Sequence, residues 1–262
     1  MSGPENAVQQ ISAPNAYVVA QPSRLFSTRE QAALMTPVTQ VGSRSVAKDA
    51  VQTATHDERS PTVLILDNDP DVRESLQFLL RTVSLDSKAF ASPSKFIESE
   101  LPSGPTCLVL DVRLPGRSGL DLQRALRAVN VNLPIIFITR HADVPMAVQA
   151  MKAGAIEFLI KPFRDQDLLD AIQLGLAHDR ARRERERELS RLCERFGKLS
   201  LREREVMAHV VNGRLNKQIA NDIGISEVTV RIHRGQVVRK MKASSVPELT
   251  RMADALRTYS AG

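Results

Sequence analysis

The sequence predicts a doubly wound α/β domain with a parallel five-stranded sheet, followed by a long linker helix and an all-α domain of four helices. Between residues 61 and 176, short runs that are apolar on both faces alternate with amphipathic stretches, as buried parallel strands and their covering helices do. After residue 198, helix caps follow one another closely and the net charge is +5 over residues 200–262. Residues 1–60 carry five charges of each sign without periodicity, which is typical of a disordered extension.

The five strands are predicted from short apolar runs that end in polar residues. Four runs are clearly marked, and the run at 88–91 is weaker. Parallel strands that are covered by helices on both faces read as continuous apolar segments of this length. The predicted strands are Val63–Leu66, Lys88–Ala91, Cys107–Leu110, Pro134–Ile138 and Glu157–Ile160.

The helices of the α/β domain are predicted from apolar residues at three- and four-residue spacing. Ser92 and Pro93 supply an N-cap and a first-turn proline for the shortest of them. The predicted helices are Asp71–Val83, Ser94–Glu100, Gly119–Val129 and Val144–Ala153.

One long helix is predicted over residues 165–196. Its middle, Arg180–Glu188, places opposite charges three and four residues apart, which stabilises a solvated helix. Leu189, Leu192 and Phe196 form a short apolar seam at its end. A self-pairing coiled coil and a semi-rigid spacer both fit this seam, and its shortness favours the spacer. The predicted boundaries are an extension over 1–60, the α/β domain over 61–176, a helical linker over 177–197 and the all-α domain over 198–262.

Caps and stops predict the four C-terminal helices. Ser200 with Glu203 has the spacing of a capping box, and Ser226 is an N-cap just after the helix stop Gly224. Two helices joined by so tight a turn form a helix-turn-helix. The predicted helices are Leu201–Val211, Asn216–Asp222, Glu227–Lys242 and Val246–Leu256.

Composition argues against several classes of protein. Cys107 and Cys193 are far apart, which indicates neither a disulfide scaffold nor a metal cluster. No apolar run approaches the roughly 20 residues of a membrane span, and the N-terminus lacks a signal-peptide pattern. We therefore expect a cytoplasmic protein without a membrane anchor. Ser27 and Glu30, at capping-box spacing, are compatible with one short helix in the extension. It would be a docking element or a nascent turn, and we expect the turn.

Polar side chains follow the predicted strands where each strand ends. In an open parallel sheet this edge is the usual place for a ligand. Carboxylates gathered there repel one another unless a hard cation neutralises them, and Mg²⁺ suits one or two carboxylates with waters and phosphate oxygens. A hydroxyl and an ammonium at the same edge would hold the oxygens of a transferred phosphoryl group. The strand-end residues are Asp67, Asn68, Asp69, Asp111, Thr139 and Lys161.

This set resembles the receiver domain of two-component response regulators, over about residues 61–176. The stretches Leu110–Gly116, LDVRLPG, and Asp143–Ala155, DVPMAVQAMKAGA, are especially similar to the FixJ/StyR type. The resemblance implies that a sensor histidine kinase phosphorylates Asp111. It also implies that Thr139 and Phe158 are switch residues and that Lys161 binds the phosphoryl group. The implied Mg²⁺ ligands are Asp67, Asn68, Asp111 and the backbone carbonyl of Arg113.

Two positions depart from the pattern of that family. The family usually has a carboxylate where this chain has Asn68, so the site loses a negative charge and we expect weaker Mg²⁺ binding. The residue after Thr139 is usually small, whereas Arg140 would either slow access to Asp111 or pair with the phosphoryl group. We expect Asp111 to be phosphorylated with an unusual Mg²⁺ dependence, and the rival is a receiver that signals without phosphorylation.

The run LDNDPD also resembles phosphatases of the haloacid-dehalogenase type, which usually have Thr or Val where this chain has Asp71.

The C-terminal part resembles the LuxR-type DNA-binding domain, over about residues 198–258. The resemblance is carried by Leu199–Val206, LSLREREV, by Asn216–Ala220, NKQIA, and by Gly224–Ser226, GIS. On the second helix of the motif, Val230, His233, Val237 and Met241 share one face, while Arg231, Gly235, Arg239 and Lys242 share the other. The resemblance implies that Arg231, Ile232 and Gly235 face the bases. It places Lys217, Ser226, Thr229 and Arg239 near phosphates.

The two resemblances together predict a phosphorylation-controlled transcription regulator that is not an enzyme. It would dimerise on phosphorylation, through the helix Val144–Ala153 and the helix after Asp165, and would bind double-stranded promoter DNA. RNA polymerase would be its partner there, and we expect activation rather than repression. The alternative is an adaptor whose receiver docks other proteins, while its basic domain binds DNA only weakly.

Overall fold

The computed structural model describes residues 60–141 and 143–260. The predicted extension, apart from Ser60, and the short helix predicted after Ser27 lie outside these residues. The described chain forms two compact units, 60–183 and 184–260. No helix in either unit is long and apolar enough to cross a membrane.

The first unit is built on a parallel five-stranded sheet with the strand order β2-β1-β3-β4-β5. Every residue of β1, β3 and β4 is buried, because helices cover both faces, whereas β2 and β5 form the partly exposed edges. The predicted fold class is therefore confirmed. The strands are β1 (Thr62–Leu66), β2 (Asp86–Phe90), β3 (Thr106–Asp111), β4 (Ile135–Thr139) and β5 (Glu157–Ile160).

Five helices accompany the sheet, and the alternation of side chains along β1 shows how the two cores arise. Leu64 and Leu66 point into one core and Val63 and Ile65 into the other. Successive side chains of a strand leave on opposite faces, so each face of the sheet has its own layer of helices. The helices are α1 (Pro70–Thr82), α2 (Pro93–Glu98), α3 (Gly119–Ala128), α4 (Val144–Lys152) and α5 (Asp165–Gly197).

A buried carboxylate fastens α5 to the start of β3. Asp179 has no exposed surface, and its Oδ2 accepts a hydrogen bond of 2.9 Å from the Thr106 backbone N–H. Arg182 and Arg183 each pair with this carboxylate at 2.5 Å. Arg183 also donates to the carbonyl of Ser103 at 3.0 Å. The network secures α5 through about half of its length.

The second unit contains four further helices around one apolar core. Gly224 ends the second of them in a left-handed conformation, φ 69°, which glycine adopts without strain. Phe196, at the end of α5, is buried in this core and Leu192 packs against it. Two of the three residues of the apolar seam thus pack within the second unit. The helices are α6 (Leu201–Val211), α7 (Asn216–Ile223), α8 (Glu227–Met241) and α9 (Val246–Ser260).

Candidate functional site

The register of the sheet brings the ends of β1 and β3 to the same edge. Leu66 pairs with Leu110, so Asp67 and Asp111 are the next residues on neighbouring strands. Asp111 in turn pairs with Ile138, one residue before Thr139 at the end of β4. The predicted strand-end residues are adjacent because the strands are parallel and closely aligned.

At this edge of the sheet, the carboxylates of Asp67 and Asp111 both lie near the ammonium of Lys161. The Nζ of Lys161 lies 2.6 Å from Oδ2 of Asp67 and 3.5 Å from Oδ2 of Asp111. Asp67 is fully buried, and the side chains of Lys161 and Asp111 are each 11% exposed. We call these three residues the acidic pocket. Because the charges are shielded from water, their mutual attraction is stronger than that of a surface pair.

Asp111 presents one carboxylate oxygen to Lys161 while the other is held by the backbone. Its Oδ1 accepts a hydrogen bond of 3.0 Å from the N–H of Arg113. Burial raises the pKa of Asp111, and this hydrogen bond and the charge of Lys161 offset only part of the rise. A carboxylate fixed in this way beside an ammonium can accept a phosphoryl group, because the added negative charge has a cation at hand.

A glycine that the sequence analysis did not single out holds the backbone after Asp111 in place. The N–H of Gly119 donates to the carbonyl of Val112 at 2.8 Å. A Cβ atom on Gly119 would lie 2.4 Å from the Asp111 carbonyl oxygen, so only glycine allows the start of α3 to pack this closely. The isolated glycine at the predicted helix start was the signal for this contact.

Thr139 reaches Lys161 through its backbone, whose carbonyl accepts a hydrogen bond of 2.8 Å from the Lys161 N–H. Thr139 is fully buried, and its Oγ1 accepts a hydrogen bond of 3.3 Å from the His141 backbone N–H. Phe158 is half-buried, with its ring centroid 6.1 Å from that of Phe137. Thr139 thus ends β4, whereas Phe158 lies within β5 and packs against the core of the sheet.

Arg140 and Asp69 form an ion pair between the residues that follow β4 and β1. Their Nη2 and Oδ2 atoms lie 2.7 Å apart, and the Arg140 side chain is 63% exposed. Asp69 also caps α1 by accepting from the N–H of Asp71. Burial alone would raise the pKa of Asp69, but this hydrogen bond, one from Val72 and the charge of Arg140 hold it below its ordinary value. The sequence analysis had predicted no partner for Asp69.

The oxygen atoms at this edge suit a hard cation, although few carboxylates supply them. Among residues 60–141 and 143–260, no group of three or more His, Cys, Asp and Glu side chains could hold a metal ion. Mg²⁺ needs only one or two protein carboxylates when waters and phosphate oxygens complete its shell. Asp67 and Asp111 meet that need, and Asn68 is exposed beside them. The donor set therefore fits Mg²⁺.

The second helix of the helix-turn-helix exposes its cationic face. Val230, Val237 and Met241 are fully buried, whereas His233 is half-buried. The N-cap Ser226 accepts a hydrogen bond of 3.1 Å from the N–H of half-buried Thr229. Ser226 is exposed, and so are the other predicted DNA-contacting residues: Lys217, Arg231, Ile232, Gly235 and Arg239.

The same face carries an apolar residue that the sequence analysis did not name. Val228 is 64% exposed, beside Ile232 at 58%. These residues lie one turn apart on α8, opposite its buried face. The signal for Val228 was its position four residues before Ile232, which places both residues on the same face of the predicted helix.

Comparisons with known proteins match both units. Residues 63–173 match the response regulator receiver domain, and residues 197–253 match the family described as bacterial regulatory proteins, luxR family. Nodulation protein W of Bradyrhizobium diazoefficiens is 49% identical over 194 residues, which is 74% of this chain and 86% of that protein. The transcriptional regulatory protein FixJ of Azorhizobium caulinodans is 44% identical over 191 residues, 73% of this chain and 90% of that protein. A low-resolution structure of the response regulator StyR, 45% identical, covers 74% of this chain and 98% of its own, with a TM-score of 0.68.

Proposed function

Because the chain belongs to the response regulators that join a receiver domain to a LuxR-type DNA-binding domain, we propose that phosphorylation of Asp111 controls its activity as a transcription regulator. The observation that carries the proposal is the acidic pocket, where Lys161 lies within 2.6 Å of Asp67 and 3.5 Å of Asp111. The function belongs to the cytoplasm, where the chromosome lies. A protein of this kind binds DNA rather than turning over a substrate.

The phosphodonor is the phosphohistidine of a sensor histidine kinase. An Oδ atom of Asp111 attacks phosphorus, so that an O–P bond forms as the P–N bond breaks. The histidine nitrogen leaves with the electron pair and takes up a proton. Lys161 remains at the pocket and neutralises the phosphoryl oxygens.

Asp67, Asn68, Asp111 and the carbonyl of Arg113 would hold Mg²⁺, which when bound would neutralise charge on the phosphoryl oxygens. The amide of Asn68 supplies an oxygen without a charge, so the chain contributes less electrostatic attraction to the ion than a carboxylate would. Asp69 does not replace that charge, because its carboxylate is already paired with Arg140. The site accordingly binds Mg²⁺ weakly.

Phosphorylation would draw the Thr139 hydroxyl from His141 to the phosphoryl group. Phe158 would then change its position together with the residues that join β4 to α4. The surface of α4, β5 and the start of α5 would then pair with a second copy of the chain. In support, Val144, Val148 and Ile160 lie on α4 and β5 and are 76%, 45% and 55% exposed, so apolar side chains are available there for pairing. The dimer would place two α8 helices on double-stranded promoter DNA and activate transcription through RNA polymerase.

The phosphorylation claim is tested by treating the full chain with acetyl phosphate and Mg²⁺ and locating the label by mass spectrometry. We expect a label on Asp111 that depends on Mg²⁺ and is missing from Asp111→Asn. A wild-type chain that takes up no label under saturating Mg²⁺ would refute it.

The DNA-binding claim is tested by gel shift on genomic fragments, with the cationic face as the target. Arg231→Ala should relax sequence preference, whereas Lys217→Ala should weaken binding to all sequences alike and flatten the salt dependence. Sequence-selective binding excludes the adaptor alternative. Equal losses on every sequence from both variants would contradict the assignment of bases to Arg231 and phosphates to Lys217.

A further inference from the structure

The exposed face of α8 carries a narrow apolar strip, formed by Val228, Ile232 and Gly235. These residues lie at spacings of four and three along the helix, so they project in nearly the same direction. Val228 and Ile232 are 64% and 58% exposed, whereas Val230, Val237 and Met241 on the opposite face are fully buried. The strip is therefore an apolar surface on an otherwise polar side of the helix.

Nothing within the described chain accounts for this strip. Glycine weakens the interior of a helix relative to alanine, yet Gly235 has no positive φ, and no atom beyond its own stretch of helix lies within 4 Å of the position a Cβ would take. The packing of residues 184–260 would accept a larger residue there. Space left free at Gly235 and two exposed β-branched side chains both suit a surface that approaches from outside.

The charges around the strip indicate what that surface is. Arg231 lies beside it, Arg239 follows on the same helix, and Lys217 is exposed on α7, within a segment whose net charge is +5 over residues 200–262. These cations are complementary to phosphates. An α-helix of about 10–12 Å fits a major groove about 12 Å wide. In that groove the one apolar group on a base edge is the C5-methyl of thymine.

We propose that the apolar strip recognises thymine methyl groups, and that Val228 is a specificity-determining residue alongside Ile232. Four residues of helix separate their Cα atoms by about 6 Å along the axis, which spans one or two base-pair steps of about 3.4 Å. Val228 and Ile232 thus contact the methyls of two thymines that are neighbours or next neighbours in a half-site. Gly235 lets this part of the helix approach the base edges. The inference rests on the proposed DNA binding and adds the base that is preferred.

The test replaces thymine with deoxyuridine, which removes only the methyl group. A binding site is first selected from genomic fragments by the full wild-type chain, and each thymine of one half-site is then replaced in turn. Affinities are measured by fluorescence anisotropy at one salt concentration, with and without acetyl phosphate. We expect uracil at one or two positions to weaken wild-type binding about fourfold each, the value of one buried methyl group.

Variants assign the positions. In Val228→Ala the uracil penalty should vanish at one position, and in Ile232→Ala at the other. Leu201→Ala is the matched control, because Leu201 is also a highly exposed apolar residue of this unit, 77% exposed, but lies on α6. It should leave every penalty unchanged. Thermal unfolding establishes that each variant is folded, and the uracil series on the wild type needs no variant.

The outcomes separate this inference from the function it rests on. Tight, selective binding with no uracil penalty, or penalties that are equal in the wild type and both variants, would overturn the thymine assignment alone. Failure to select any preferred fragment would overturn the proposed regulator itself and the inference with it.

Discussion

Replacement of Asp179 by alanine should loosen α5 from the sheet by about 3 kcal/mol. The side chain is fully buried and accepts a hydrogen bond from the Thr106 N–H. Loss of that acceptor leaves a buried N–H unsatisfied, at a cost of about 1–3 kcal/mol. The side chains of Arg182 and Arg183 are 26% and 19% exposed, so without Asp179 they recover part of their hydration, and the lost pairs add only about 1 kcal/mol.

Native-state hydrogen exchange, read by mass spectrometry, measures this effect within the first unit. The chain has no Trp, and exchange reports on peptides of β3 and α5 without a fluorescent probe. A loss of about 3 kcal/mol should speed their exchange roughly 150-fold. Asp179→Asn should cause a smaller change, because an amide oxygen can still accept from Thr106.

Arg187→Ala serves as the control in the same helix, because within the described residues Arg187 forms an exposed ion pair with Glu184 at 3.6 Å and no other. Such a pair contributes at most about 1 kcal/mol, so exchange of β3 should stay near the wild-type rate. Exchange in Asp179→Ala within threefold of the wild type would refute the fastening role of Asp179.

Three further outcomes are expected. Asn68→Asp should lower the Mg²⁺ concentration for half-maximal labelling of Asp111 by about tenfold, since it adds a charged ligand; an unchanged midpoint in a Mg²⁺ titration would remove the charge argument. Gly235→Ala should stabilise the second unit by about 0.5–1 kcal/mol and raise its Tm by about 4 °C, but it should weaken binding to the selected DNA site. A gain in Tm with unchanged DNA affinity would contradict the close approach of α8 to the base edges. Burial, with the Asp179 charge, raises the pKa of the Cys107 thiol to about 12, and burial raises that of Cys193. Iodoacetamide at pH 8 should therefore modify Cys107 only after unfolding, and rapid modification of the native chain would count against its burial.

The strands were predictable because helices bury both of their faces. β1, β3 and β4 are buried throughout and apolar except at their ends, and the predicted bounds differ from the observed ones by at most one residue at either end. β2 was only weakly marked, since it lies at an edge and carries Asp86 and Lys88. Edge strands lack the continuous apolar signal that central strands have.

The acidic pocket was predictable from topology alone, because parallel strands place Asp67 and Asp111 at one edge. The pairing of Asp69 with Arg140, 71 positions away, was not, because Asp69 lies three residues beyond the end of β1 and the register of the sheet does not fix its position. Asp179 was missed for a related reason. It stands beside a run of charges that resembles a solvated helix, and only the position of Thr106, 73 residues away, makes it a buried anchor.

The measurement that bears most directly on control by the acidic pocket is the affinity of the full chain for its selected DNA site, before and after treatment with acetyl phosphate and Mg²⁺. In this reaction Asp111 gains the phosphoryl group as acetate leaves. We predict that the wild type binds more tightly after treatment and that Asp111→Asn does not respond. An unresponsive wild type, or an equal response in Asp111→Asn, would contradict control of DNA binding by this carboxylate.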